Sequence, residues 1–180
     1  MKKVFILCLI SLMALSLNAQ TDVKQVKTAK VDRKAELKAQ GYVDLGLPSG
    51  TLWKDQNEDG GFFIFNLALS NGDNLPSREQ IEELQNSCEW TWNGRGYKVV
   101  GPNGESIILP ALGYQDCDKE LRGVGMDSYV MNSHDYMGCY WSSIRSEPEY
   151  AYSLNFDSGK VHVGSSKLCY GLSVRLVRKP

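Results

Sequence analysis

The chain has 180 residues, 42% of them hydrophobic and 23% charged, with 20 lysines and arginines against 21 aspartates and glutamates. A net charge of −1 leaves no positive field to hold a polyanion, which argues against a nucleic-acid partner. The length suits one domain with one buried core.

Lys2 and Lys3 precede an apolar run from Val4 to Leu17, and Asn18-Ala19-Gln20 follows, giving a positive start, an apolar centre and a small-residue exit. This is the layout of an export signal ending at residue 19, and the run is shorter than the roughly 20 apolar residues of a membrane span. Cleavage there would remove two lysines, leaving 18 basic against 21 acidic side chains. No second run of spanning length follows, and Cys8 lies inside the apolar run rather than behind a lipid-attachment box. The expectation is a protein exported to the periplasm, cell surface or exterior, with no membrane insertion after cleavage. Residues 20–41, rich in Lys, Ala, Val and Gln, have the composition of a polar spacer, with too thin a valine stripe to dock a helix firmly.

A domain is expected over residues 42–178. Tyr42 to Trp53 alternates apolar residues with turn formers, predicting two short strands around a turn, and Asn57-Glu58-Asp59-Gly60-Gly61 marks a loop before the apolar stretch Phe62 to Leu69. The clearest helix is predicted over residues 77–87. Ser77 and Gln80 have capping-box spacing, Glu79 suits the positive end of the dipole, and Ile81, Leu84 and Cys88 share one face. The period then switches to two. Trp90 and Trp92, Tyr97 to Val100, and Ile107 to Leu109 predict a three-stranded meander turning at Asn93-Gly94-Arg95-Gly96 and Gly101-Pro102-Asn103-Gly104. Four more strands are predicted at Gly138 to Ser143, Tyr152 to Phe156, Lys160 to Val163 and Gly171 to Val177. In these, Tyr152, Leu154, Phe156, Val161, Val163, Leu172, Val174 and Leu176 would face a core, leaving Ser153, Asn155, Asp157, Lys160, His162, Ser173 and Arg175 wet. Short strands, one capped helix and further strands predict an α+β domain.

Beyond the leader the cysteines are Cys88, Cys117, Cys139 and Cys169. Four cysteines allow three pairings, and spacing does not choose among them. Cys139 and Cys169 each precede a tyrosine in a predicted strand, which makes Cys139–Cys169 with Cys88–Cys117 one arrangement; buried free thiols are the alternative. There is no C-x-x-C, and His134 and His162 lie far apart in sequence, so no metal site is expected.

Six motifs in order carry a resemblance. Tyr42-Val43-Asp44-Leu45-Gly46-Leu47-Pro48-Ser49-Gly50-Thr51-Leu52-Trp53, Leu75-Pro76-Ser77 with Glu82-Glu83-Leu84, Gly96-Tyr97-Lys98-Val99 with Gly101-Pro102-Asn103-Gly104, Leu109-Pro110-Ala111 with Gly113-Tyr114, Tyr140-Trp141-Ser142-Ser143, and Ser173-Val174-Arg175-Leu176-Val177 resemble the Fibrobacter succinogenes major paralogous domain family. The match spans about Tyr42 to Val177. The resemblance implies a C-type-lectin-like fold, similar to that of formylglycine-generating enzymes, in a secreted or surface protein of a gut bacterium. This chain departs from the family after Trp53, where Lys54 to Asn74 is more compact than usual. The family has no general activity to carry over.

The chemistry in the residues points away from catalysis. Formylglycine-generating relatives use a closely spaced C-terminal cysteine pair, whereas Cys139 and Cys169 are 30 residues apart. Ser133, His134 and Asp135 are chain neighbours rather than a nucleophile, base and orienting group converging from separate elements. Glu147 and Glu149, flanking Pro148, with Asn155 and Asp157 could offer oxygens to calcium only if the fold brings all four together; the expectation is no cofactor, with calcium as the alternative. Tyr129, Tyr136, Tyr150, Tyr152 and Tyr170 stand among Ser, Asn, Asp and Gly, a composition that binding surfaces use. The expected function is non-catalytic binding of a glycan or surface protein through Arg145, Tyr150, Asn155, Asp157, Lys160 and His162, with a structural envelope protein or a degenerate formylglycine-generating-type enzyme as alternatives.

Overall fold

The computed structural model describes residue 26, residues 32–124 and residues 136–179. The predicted leader, most of the spacer, Tyr129 and the Ser133-His134-Asp135 run lie outside the described residues. The chain divides into two units, Met1–Gln40 with Pro180, and Gly41–Lys179. In the first, residues 32–39 form a helix (α1), and the Gln40 amide donates to the carbonyls of Glu36 and Leu37, both at 3.1 Å.

The second unit is α+β, built mostly of short antiparallel strands in several small sheets with few helices. One sheet has the order β1-β2-β11, from β1 (Tyr42–Asp44), β2 (Leu52–Lys54) and β11 (Val177–Arg178), so the two ends of the unit flank the same strand. A short helix α2 (Phe65–Ala68) runs into a 3-10 turn (Leu69–Asn74), and α3 (Arg78–Ser87) follows. A meander of β3 (Glu89–Trp92), β4 (Gly96–Val100) and β5 (Ser106–Pro110) comes next, then a two-stranded hairpin of β6 (Tyr114–Gln115) and β7 (Leu121–Arg122). The largest sheet, in the order β10-β9-β8, joins β8 (Gly138–Glu147), β9 (Tyr150–Phe156) and β10 (Val161–Lys167).

Local chemistry accounts for α3. The Ser77 hydroxyl accepts from the Gln80 amide at 3.2 Å, and Gln80 Oε1 accepts from the Ser77 amide at 2.8 Å, closing the capping box. The helix ends where Cys88 turns to extended backbone, φ −113° and ψ 156°. Ile81 and Leu84 join a core that also contains Tyr140, Leu154 and Phe156 of the large sheet and Tyr97, Val99, Ile107 and Leu109 of the meander. The Phe156 ring stands at its centre, edge-on to Tyr97 at 5.4 Å and stacked with Tyr140 at 5.9 Å.

Phe156 fits because its register partner on β8 is Gly138. A Cβ there would lie 2.0 Å from the ring. Gly138→Ala must therefore displace a ring wedged between Tyr97 and Tyr140, and is expected to cost about 2–3 kcal/mol in urea unfolding. A loss below about 0.5 kcal/mol would show that the ring is free to shift.

Two expectations are corrected. The segment from Gly171 is not a fourth strand of the C-terminal sheet. Residues 171–173 form only isolated bridges, Gln115 with Gly171, Phe63 with Leu172 and Tyr140 with Ser173, and regular pairing resumes at β11 against β2. Leu172, Ser173, Val174 and Arg175 are all buried, so no side of this segment is wet. The cysteine arrangement also differs. Cys117 bonds to Cys169, with Cα atoms 5.1 Å apart, while Cys88 and Cys139 are free. The cause is register: Gln115 and Gly171 exchange both backbone hydrogen bonds at 2.9 Å, and two residues further along that antiparallel ladder Cys117 meets Cys169. Cys139 instead lies within the large sheet, in register with Asn155.

Candidate functional site

The large sheet carries all six residues expected to bind, and its register sorts them. Arg145 and Tyr150 belong to the hairpin joining β8 to β9, whereas Asp157 and Lys160 form the turn joining β9 to β10. Seven residues of extended strand separate Tyr150 from Asp157, about 20 Å. The six therefore form two groups at opposite ends of one sheet.

At the Asp157 end, Asp157 Oδ1 accepts from the amides of Gly159 at 2.8 Å and Lys160 at 2.9 Å, so the carboxylate holds the turn together. Asn155 and His162 are register partners. Asn155 was expected to face water and is buried. Its amide lies flat across the sheet, donating to the Ser153 carbonyl at 3.3 Å and the Ser153 hydroxyl at 3.0 Å. Gly164 permits this, since a Cβ there would stand 2.9 Å from Asn155 Nδ2. Ser153, also expected to be wet, is buried and shares a 2.9 Å hydrogen bond with Ser166. His162 is half-buried, with its Nδ1 covered and unpartnered among the described residues.

The other end is more open. Arg145 is exposed, donates to the Pro148 carbonyl at 3.3 Å, and holds its guanidinium 5.8 Å from the centre of the Phe65 ring. Tyr150 pairs with exposed Lys167. Tyr152, two residues along the same face, is stacked by the Arg78 guanidinium at 4.6 Å, and its hydroxyl accepts from Arg78 Nη1 at 3.1 Å. Arg78 also pairs with Glu82 at 2.7 Å, and the Glu82 carboxylate holds its guanidinium above its ordinary pKa. Arg78, on the first turn of α3, had no signal as a site residue; its neighbourhood with Tyr152 exists only through the packing of α3 on the sheet. Glu147 and Glu149 are exposed at this tip while Asn155 and Asp157 lie toward the far end, so the four oxygen donors weighed for calcium do not converge. Among the described residues no three His, Cys, Asp or Glu side chains are grouped to hold a metal ion.

A second concave feature was not anticipated. Loop residues 55–61 and the end of β5 with the residues after it line an open cleft of about 460 Å³. Ile108, Pro110 and Leu112 are its apolar lining, and Asp55, Glu58 and Asp59 stand among the loop residues that also line it. Arg175, also in the lining, is only 1% exposed. Its Nε donates to Asn57 Oδ1 at 2.9 Å, Nη1 to the Lys54 carbonyl at 2.9 Å and Nη2 to the Ile108 carbonyl at 2.7 Å. Burial lowers its pKa, opposed by Tyr140 and Asp55. Burial pushes the Tyr140 phenol up to about 12, so it remains a donor, bonding the Pro110 carbonyl at 2.7 Å and accepting from Asn57 Nδ2 at 3.3 Å. This network fixes both walls. In sequence Arg175 sits at a polar position of an alternating run and Asn57-Glu58-Asp59 in a loop, more than a hundred residues away, so nothing local joins them.

No family model, curated protein or solved structure matches the chain. No helix among the described residues is long and apolar enough to cross a membrane.

Proposed function

We propose that the protein is an exported, non-catalytic binding module with a C-type-lectin-like domain of the Fibrobacter succinogenes major paralogous type, which recognises a glycan or a surface protein without calcium. The observation that carries the reading is the Arg78–Tyr152 stack, held rigid on α3 and β9 beside Tyr150 and Lys167, with Arg145 on the other face of the same sheet end. Tyrosine and arginine offer broad contact area with hydrogen-bonding edges at small cost in side-chain entropy. The Cys117–Cys169 disulfide is compatible with an oxidising destination. The recognition surface is thus the β8–β9 end of the sheet, with Asn155, Asp157 and His162 serving its architecture.

The test screens the full chain on arrayed glycans and on cell-surface extracts, in calcium and in chelator. Binding should survive chelation, fall more than about tenfold in Arg145→Ala with Tyr150→Ala, and persist in Lys160→Ala. Loss of binding in chelator, or a Lys160→Ala effect as large as that of the double variant, would move the site away from this tip. Absence of any saturable partner, with the chain co-purifying with envelope material, would favour a structural role.

A further inference from the structure

We infer that the cleft above Arg175 is a second binding site, specific for a primary ammonium group carried on an aliphatic chain. Its volume of about 460 Å³ lies within the range of small-molecule sites. One wall is apolar and open to solvent: Ile108 is 42% and Leu112 45% exposed, and Pro110 stands between them. Ile108 is the outward member of an alternating strand whose neighbours Ile107 and Leu109 fill the core, so its exposure leaves unpartnered apolar surface inside a concavity.

The loop residues of the lining have the opposite character. Asp55, Glu58 and Asp59 make no hydrogen bond or ion pair through their carboxylates among the described residues. Other carboxylates of this unit serve the fold: Glu82 holds Arg78, Glu83 accepts from the Ser49 amide and hydroxyl, Asp116 holds Arg122 and Asp157 closes a turn. The Arg175 guanidinium gives its bonds to Asn57, Lys54 and Ile108 beneath the cleft. Asp55 offsets part of that buried charge, which leaves Glu58 and Asp59 to attract a cation.

The carboxylates are not grouped for a metal ion, and metal coordination would leave the apolar wall unused. An anion would meet the acidic loop. An alkylammonium satisfies both walls, methylenes along Ile108, Pro110 and Leu112 and the cation toward Glu58 and Asp59. A free diamine and a lysine side chain of a peptide share this chemistry.

The test titrates the full chain, by calorimetry or by amide chemical shifts, with 1,5-diaminopentane, with N-acetyl-lysine amide and with its uncharged isostere N-acetyl-norleucine amide. At least one amine should saturate, with a dissociation constant on the order of 1 mM expected for so small a ligand, and the norleucine compound should not. The diamine alone binding identifies a free amine as the ligand; the lysine compound binding identifies a peptide. Glu58→Gln with Asp59→Asn should weaken binding about tenfold, and Leu112→Ser should weaken it severalfold, with unfolding midpoints close to the parent because these changes remove no internal hydrogen bond. Failure of both amines to saturate, or equal affinity in the carboxamide variant, overturns the site. Arg145→Ala with Tyr150→Ala should leave amine binding unchanged, which keeps this outcome separate from that of the sheet-tip surface.

Discussion

Arg175→Met is expected to destabilise the Gly41–Lys179 unit by about 3–5 kcal/mol. The change strands three oxygens that now receive charged donors, Asn57 Oδ1 and the carbonyls of Lys54 and Ile108. Each such bond contributes about 1.5–3 kcal/mol, and a buried acceptor left unpaired costs more than one that reaches water. The full sum is not expected, because burial already disfavours the guanidinium, as its lowered pKa records, and methionine recovers that desolvation while filling much of the volume. Denaturant unfolding of the full chain would measure it, with Arg178→Met, a half-buried position on β11, as a control expected within about 0.5 kcal/mol of the parent. A loss below about 1 kcal/mol at position 175 would mean that the loop is held by other contacts.

Reducing the disulfide is the other large effect. Cys117 and Cys169 are separated by 52 residues, and closing a loop of that size stabilises the fold by about 4 kcal/mol on the chain-entropy account. The thermal midpoint should fall by more than about 10 °C in reductant, and Cys117→Ser with Cys169→Ser should reproduce the fall in its absence. Thiol labelling provides an independent readout. Burial pushes the Cys139 thiol up to about 12, and burial with the nearby Glu83 charge pushes Cys88 up to about 11, so both stay protonated and label slowly at pH 8. Cys117 and Cys169 are exposed and should label rapidly only after reduction. Rapid labelling of either without reductant, or an unchanged midpoint, would refute the pairing.

Features decided within a few residues were legible in the sequence. The Ser77–Gln80 capping box, the Asn93 to Gly96 turn and the three strands of the meander all stand where local signals placed them. Features decided by what covers a segment were not. Alternation at Leu172, Ser173, Val174 and Arg175 implied one dry and one wet side, yet the segment runs between β8 and residues 58–63, with the Glu58 amide donating to the Val174 carbonyl and the Ser173 amide to that of Cys139. Arg175 survives there because distant partners satisfy it, whereas the buried Ser173 hydroxyl has no partner among the described residues, and no spacing rule sees a partner more than a hundred residues away. Asn155 misled for a smaller reason: Gly164 across the strand gives its amide room to lie down. The disulfide needed the Gln115–Gly171 register before its partners could be named. For the candidate sites, the sequence supplied Arg145 and Tyr150 but neither Arg78 nor the cleft.

Strands β1 and β11 both pair with β2, opposite Tyr42 to Asp44 on one side and Val177 to Arg178 on the other. The two strands run parallel, so the backbone enters the Gly41–Lys179 unit beside Lys54 and leaves it beside Leu52, two strand spacings across and two residues along, about 12 Å. A module with adjacent ends can be spliced into a surface loop of an unrelated host, or have its ends joined and new ones opened at the Asn103-Gly104 turn, without rerouting its interior.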